Sequence, residues 1–362
     1  MTSGAFPFEA NPNPVDAAER AARLVDPGFG RVFTDHMVTI RYSDAKGWHD
    51  AKVGPRAPLT LDPATAVLHY AQEIFEGLKA YRLADGSMAL FRPEQNARRF
   101  QRSAKRLAMP ELPEEMFLQA CKQLVQVDKD WFPPVDGGSI YLRPFMIASE
   151  VFLGVKPSAE YLFMVIASSA GNYFKSGAPA ISIWVSEQYT RAARGGTGAA
   201  KCGGNYAASL VAQSEAIREG CDQVVFLDAA EHRWVEELGG MNLFFLFDDG
   251  SLLTPPTDGT ILEGITRDSV LTLARAQGLN VREERYAMDQ WRADAESGRL
   301  VEVFACGTAA VVTPVGTVKS TQGVFTIGAG GAGQMTQQIR TKLVDIQRGA
   351  AADTHGWVQR ID

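Results

Sequence analysis

The spacing of apolar and polar positions changes several times along this chain, and each change marks a predicted element. Residues 31 to 43 alternate as a half-buried strand does. A helical stretch follows around Pro63 to Phe75. Two short runs, Gly77 to Tyr81 and Met88 to Phe91, flank Asp85-Gly86 and predict a hairpin turning there. Pro93 opens a basic helix that runs to about Leu107, since proline suits a first helical turn. A further helix is predicted over Glu114 to Trp131, then a strand containing Ser139-Ile140-Tyr141-Leu142-Arg143. Tyr161 to Ser169 is a nearly continuous apolar strand.

The pattern breaks at Gly171-Asn172-Tyr173-Phe174-Lys175-Ser176-Gly177, which reads as a linker. Beyond it, strands at Ile181 to Glu187, Gln223 to Asp228, Met241 to Phe247 and Leu300 to Ala305 alternate with helices near Asn205 to Glu219 and Thr266 to Gln277. The expected class is α/β (α+β) with two domains: a smaller α+β domain over 1–170, a linker over 171–180, and a larger α/β layered or barrel-like domain over 181–362.

Composition narrows the partners. A 362-residue chain with 46% apolar content supports two cores. The net charge of -6 is interspersed, with no basic stripe for nucleic acid and no basic amphipathic helix for a membrane. No run approaches eighteen apolar residues, and the acidic first thirty residues resemble no targeting peptide. The four cysteines and five histidines have no metal-ligand spacing, so no metal is expected and reduced thiols in a cytoplasm are. A small-molecule partner is favoured.

Candidate chemistry centres on Lys201, set in Gly195-Gly196-Thr197-Gly198-Ala199-Ala200-Lys201-Cys202-Gly203-Gly204-Asn205-Tyr206. Glycines let the main chain approach a planar group, and a desolvated lysine is a nucleophile for carbonyls. A solvated surface loop is the ordinary alternative. A phosphate loop is excluded, because Ala200 stands where its glycine is needed and Cys202 where its hydroxyl is needed.

A Schiff-base lysine implies pyridoxal phosphate, which needs an acid at its ring nitrogen, a donor to its phenolate and an anion cradle. Glu236 and Glu237 both stand as acids before Leu238-Gly239-Gly240-Met241-Asn242. Tyr206 offers a phenol, with core packing as its alternative. Gly264-Ile265-Thr266-Arg267-Asp268 opens a helix, Gly307-Thr308 makes a second turn, and Arg98 or Arg99 could add a guanidinium, spacing leaving open which points inward.

These segments resemble the fold-type IV pyridoxal-phosphate enzymes, and within them the branched-chain amino acid aminotransferases, over nearly the whole chain. The resemblance rests on ordered motifs: Phe33-Thr34-Asp35-His36-Met37, Leu68-His69-Tyr70, Ile74-Phe75-Glu76-Gly77-Leu78-Lys79-Ala80, Tyr141-Leu142-Arg143-Pro144, Lys201 to Tyr206, Glu237 to Asn242, and Gly307-Thr308-Ala309. It implies reversible amino transfer from L-leucine, L-isoleucine or L-valine to 2-oxoglutarate by a ping-pong cycle. Lys201 is then the catalytic Schiff-base lysine, Glu237 pairs with the ring nitrogen, Tyr206 donates to the phenolate, and Arg99, Ile265, Thr266 and Thr308 hold the phosphate. Thr308-Ala309 would take the substrate carboxylate, with Tyr141 and Arg143 nearby, and Arg143 would accept the γ-carboxylate of glutamate. Phe29, Phe33, Tyr70, Phe75 and Tyr206 would line the side-chain pocket, Leu153 and Val155 would reach it from a second subunit of a homodimer, and Tyr173 would sit in a lid. Two departures are visible. Ala310 and Thr313 stand where some relatives carry a redox pair of cysteines, and Gly240 replaces a threonine near the substrate. A D-amino acid aminotransferase or an aminodeoxychorismate lyase would share Lys201 and Glu237.

Overall fold

A computed structural model describes residues 4–135, 137–171 and 180–361. The chain divides into two compact units. Unit 1 takes in the chain before residue 172, the short segment Ala200–Gly203, and the C-terminal segment from Ile346; unit 2 takes in 180–199 and Gly204–Asp345.

Unit 1 is built on an antiparallel sheet of β1 (Val32–Ser43), β2 (Gly47–Pro55), β3 (Glu73–Phe75), β4 (Leu78–Arg82), β5 (Met88–Phe91), β6 (Ser139–Ala148) and β7 (Glu160–Ala170), joined at its edge by a strand from the C terminus. Unit 2 carries a mixed sheet of β8 (Ile181–Ser186), β9 (Gln223–Leu227), β10 (Val235–Leu238), β11 (Asn242–Phe247), β12 (Leu252–Thr254), β13 (Val281–Glu283), β14 (Leu300–Gly307), β15 (Val311–Ser320) and β16 (Gly323–Thr326). The C-terminal strand is β17 (Val358–Ile361), which pairs antiparallel with β5. The helices are α1 (Ala17–Arg23), α2 (Val67–Tyr70), α3 (Pro93–Arg106), α4 (Glu114–Val127), α5 (Gly203–Arg218), α6 (Ile265–Ala276), α7 (Met288–Glu296) and α8 (Gln334–Gln347).

Two expectations need correction. Residues 63 to 75 are not one helix: α2 ends after a single turn, Ala71 takes the left-handed conformation at φ 48°, and Glu73–Phe75 leaves as β3 to pair with β6. The division at 171–180 does not give the whole C-terminal half to one unit. The β17–β5 ladder ties the last residues to unit 1, which therefore holds the larger share of the chain. The hairpin forms as the sequence predicts, β4 and β5 flanking Gly86 at φ 83°, a backbone angle glycine takes without strain.

The core of unit 1 lies where α3 and α4 cover the sheet. Phe100 from α3, Phe117 from α4 and Phe163 from β7 are all buried, with Phe100 5.6 Å from Phe117 and 5.5 Å from Phe163 between ring centres. Truncating such a ring to alanine costs about 3 to 5 kcal/mol. Beside that apolar stripe, α3 buries a second line of residues three and four apart, Asn96, Arg99 and Ser103. These polar side chains meet Glu76 and the Lys201 backbone.

Candidate active site

Unit 1 carries the lysine. The Phe75 N–H donates to the Lys201 carbonyl at 2.9 Å, and the Lys201 N–H donates to Ser103 Oγ at 2.9 Å, so the peptides on both sides of Lys201 are pinned. Gly203 N–H makes a close hydrogen bond to Glu73 Oε1. The ammonium nitrogen lies 4.9 Å from the centre of the Phe75 ring, and the Arg143 guanidinium lies 4.8 Å from the same ring centre. Arg143 Nη2 donates to Tyr141 Oη at 3.1 Å, and Phe29 meets Tyr141 edge-on at 4.9 Å. Arg143 Nε is buried with no hydrogen-bond partner among the described residues, a donor that an anion would satisfy.

Beneath this cluster, Glu76 is 0% exposed. Its oxygens accept from Arg99 Nε at 2.7 Å, Arg99 Nη2 at 2.9 Å and Asn96 Nδ2 at 2.7 Å. Burial by itself would raise the Glu76 pKa. The Arg99 charge and hydrogen bonds, with help from Lys201 and Asn96, outweigh it and hold the carboxyl below its ordinary range. The inward arginine is thus Arg99, whereas Arg98 turns outward to Glu114 with Nε at 3.2 Å.

Unit 2 carries the two candidate acids and the predicted anion cradle. Side chains alternate along β10, so neighbouring glutamates face opposite ways. Glu237 Oε1 accepts from the Leu262 N–H at 2.9 Å and pairs with Arg191 Nη1 at 2.9 Å, both side chains being buried. Glu236 instead accepts from Thr260 Oγ1 at 2.6 Å. Arg191 also donates to the carbonyls of Gly198 at 3.4 Å and Thr260 at 3.1 Å. A side chain at Gly198 would place its Cβ 2.2 Å from the Thr260 carbonyl, so this glycine is required by close approach. Asn205 and Thr197 fix the rest of the loop, with Thr197 Oγ1 to Asn205 Oδ1 at 2.7 Å and Asn205 Nδ2 to the Thr197 carbonyl at 2.8 Å.

Tyr206 lies half-buried in the first turn of α5, and a Cβ at Gly240 would stand 3.6 Å from its ring, so the missing threonine leaves open space beside the phenol. Ile265 and Thr266 begin α6 behind Gly264, and no side chain caps that helix start. Its first N–H groups are an anion site of the kind phosphate uses. Thr308 and Ala309 are half-buried in the turn that follows β14.

Other predicted residues of unit 1 make contacts of their own. Phe33 lies on β1 under the Arg56 guanidinium, 5.2 Å away. Tyr70 stacks on Phe152 at 6.3 Å and is 38% exposed, while Leu153 and Val155 are 68% and 93% exposed. Tyr173 lies outside the described residues. Sequence reading missed Arg191, for which no spacing gave a signal, and Glu76, for which one existed. Asn96, Arg99 and Ser103 share one face of α3, and a polar line on a buried helix face calls for a buried partner.

Residues 73–318 match the family model described as amino-transferase class IV. The chain belongs to the class IV aminotransferases, on the branched-chain-amino-acid branch. It is 58% identical over 362 residues to a probable branched-chain-amino-acid aminotransferase of Streptomyces coelicolor, with 100% of each chain covered. It is 56% identical to the branched-chain-amino-acid aminotransferase of Mycolicibacterium smegmatis, again over 100% of each. Among solved structures, the branched-chain amino acid aminotransferase from Thermobaculum terrenum in its PLP-bound holo form aligns with a TM-score of 0.71 at 26% identity, covering 89% of this chain and 98% of that one. The fold is therefore that of the fold-type IV enzymes, and the chain is a pyridoxal-phosphate-dependent transaminase. Its donor set fits that cofactor: a half-buried primary amine at Lys201, a buried carboxylate at Glu237, a phenol at Tyr206 and an uncapped helix start at Ile265 and Thr266. Among the described residues no group of three or more metal-ligating side chains converges, and no helix is long and apolar enough to cross a membrane.

Proposed function

We propose that this transaminase moves the α-amino group of L-leucine, L-isoleucine or L-valine to 2-oxoglutarate, yielding L-glutamate and the branched 2-oxo acid, in a ping-pong cycle. The observation that carries the reading is the Phe75 ring, which an amine and a guanidinium both approach within 5 Å, Lys201 at 4.9 Å and Arg143 at 4.8 Å. An apolar surface beside a half-buried cation suits one pocket that takes an aliphatic side chain in one half-reaction and a second carboxylate in the other.

Bound pyridoxal phosphate supplies the electron-accepting ring that labilises the bond to the substrate Cα hydrogen. The protein's part is binding and proton handling. Lys201 would hold the cofactor through its side-chain amine and would carry the proton exchanged at the substrate Cα. Glu237, paired with Arg191, would meet the ring nitrogen. Tyr206 would donate to the phenolate, and Arg99, Ile265, Thr266 and Thr308 would hold the phosphate. Thr308 and Ala309, with Tyr141, receive the α-carboxylate, and Phe29, Phe33, Tyr70 and Phe75 surround the aliphatic chain. Arg143 accepts the γ-carboxylate of glutamate through the donor that has no partner.

The exposed apolar residues Leu68, Tyr70, Val151, Leu153 and Val155 support a homodimer in which Leu153 and Val155 complete a neighbour's pocket. The free, buried Cys121, Cys202, Cys221 and Cys306 suit a reducing cytoplasm. Light scattering should give twice the chain mass, and a monomer for the native protein would defeat the dimer assignment. The decisive experiment is the absorbance spectrum of the yellow holoprotein. L-leucine should bleach it and 2-oxoglutarate should restore it, with borohydride labelling only Lys201. Indifference to leucine alongside turnover of D-alanine would favour the D-amino acid reading.

A further inference from the structure

Unit 2 contains a cavity of about 340 Å³ that shares no residue with the catalytic assignments. Its walls are apolar, formed by Trp234, Pro255, Pro256 and Ile261. Glu236 also lines it, 7% exposed, with the Thr260 hydroxyl on one oxygen. Burial is the main influence that pushes this carboxyl above its ordinary range; Asp228 and Asp258 add like charge, against the pull of Thr260 and Arg191. An ammonium group beside it would offset that cost.

The remaining charges are arranged asymmetrically. Asp228 also lines the cavity, but its carboxylate is taken up by the backbone N–H groups of Ala230, Glu231, Arg233 and Trp234, at 3.1, 2.8, 3.0 and 2.8 Å. At the exposed rim, Arg194 and Arg285 both direct Nη2 at a single oxygen of Asp258, at 3.1 and 3.3 Å. Two guanidinium groups meet one carboxylate there, and Glu231, which also lines the cavity, accepts from Trp234 Nε1 at 3.1 Å. The cavity therefore combines a buried carboxylate, apolar walls and two guanidinium groups at its rim.

We propose that this cavity is a second amino-acid site, which takes a free α-amino acid with an apolar side chain, its ammonium group on Glu236 and its carboxylate toward Arg194 and Arg285. The role assigned to the site is binding alone. The inference stands apart from the proposed function, since it needs neither Lys201 nor the cofactor.

The test uses 1-aminocyclopentane-1-carboxylate, an apolar amino acid with no Cα hydrogen to remove, titrated into the holoprotein at pH 8 by calorimetry and by Trp234 emission. Saturable binding is expected, with an emission change that Trp234→Phe removes. Glu236→Gln and Arg285→Ala should each weaken it at least about tenfold, while borohydride reduction of the holoprotein, which blocks the Lys201 amine, leaves it unaltered. Arg285 is at the exposed rim, so its variant keeps the test valid should the Glu236 variant fold poorly. Absence of saturable binding, or binding that borohydride reduction removes or that Glu236→Gln and Arg285→Ala both leave intact, would overturn the proposal.

Discussion

Two buried carboxylate–guanidinium pairs, one in each unit, use the same ionic contact for opposite ends. In unit 1, Glu76 is enclosed by Arg99 and Asn96, and the group proposed to meet the cofactor is the guanidinium. In unit 2, Arg191 is held by two backbone carbonyls, and the group proposed to meet the cofactor is the carboxylate of Glu237. In each pair the supporting partner is locked by the fold, and the group proposed to meet the cofactor has the other sign. An isolated buried charge is costly, so a site that must offer a cation for phosphate and an anion for a pyridine nitrogen brings each with its own counter-ion.

The comparison breaks most easily at the supporting members. Glu76→Ala and Arg191→Ala should each cost about 3 to 5 kcal/mol of stability, because each leaves a buried charge unpaired. Chemical denaturation measures this, and a loss below about 1 kcal/mol in either variant would mean that the pair is solvated. The next effect separates the two roles. Glu237→Gln should lower kcat roughly a hundredfold while the cofactor stays bound, whereas Arg99→Lys should weaken cofactor retention about tenfold with a smaller change in kcat. The same loss of retention in both variants would erase the distinction.

Arg143 belongs to neither pair and tests whether an unpaired donor is reserved for substrate. Arg143→Ala should reduce kcat/KM for glutamate about tenfold more than for leucine, and equal losses would remove its assigned role. The smallest effect concerns pH. Folding raises the Glu236 pKa, so the ionised form costs the native state stability at pH values above it, and the cost disappears once pH falls below both folded and unfolded values. Glu236→Gln should therefore raise the melting temperature at pH 8 and lose that advantage toward pH 4. A gain that persists in acid would assign the effect to packing instead.

Much of the fold was legible in the sequence, for reasons particular to each element. Pro93 and the periodicity behind it located α3, and Asp85-Gly86 located the hairpin, because both signals are local. The failure at residues 63 to 75 has the converse cause: the tertiary partner β6 draws Glu73–Phe75 into a strand after Ala71 stops the helix. The extension of β6 through Pro144 follows similarly, because the Pro144 carbonyl still accepts from the Glu76 N–H at 2.7 Å.

The site divides along the same line. Residue identity fixed the chemistry: a lone lysine among glycines, a phenol five residues on, and an acid ahead of Gly239-Gly240. Identity could not choose between Arg98 and Arg99 or between Glu236 and Glu237, since neighbours in sequence differ only in which face they present. Packing made those choices, placing Arg99 against Glu76 and Glu237 against Arg191, while Arg98 went to the surface and Glu236 to a separate cavity. The physical reason is that a charge's role is set by the partners that desolvate and oppose it, and here those partners lie 23 and 46 residues away along the chain.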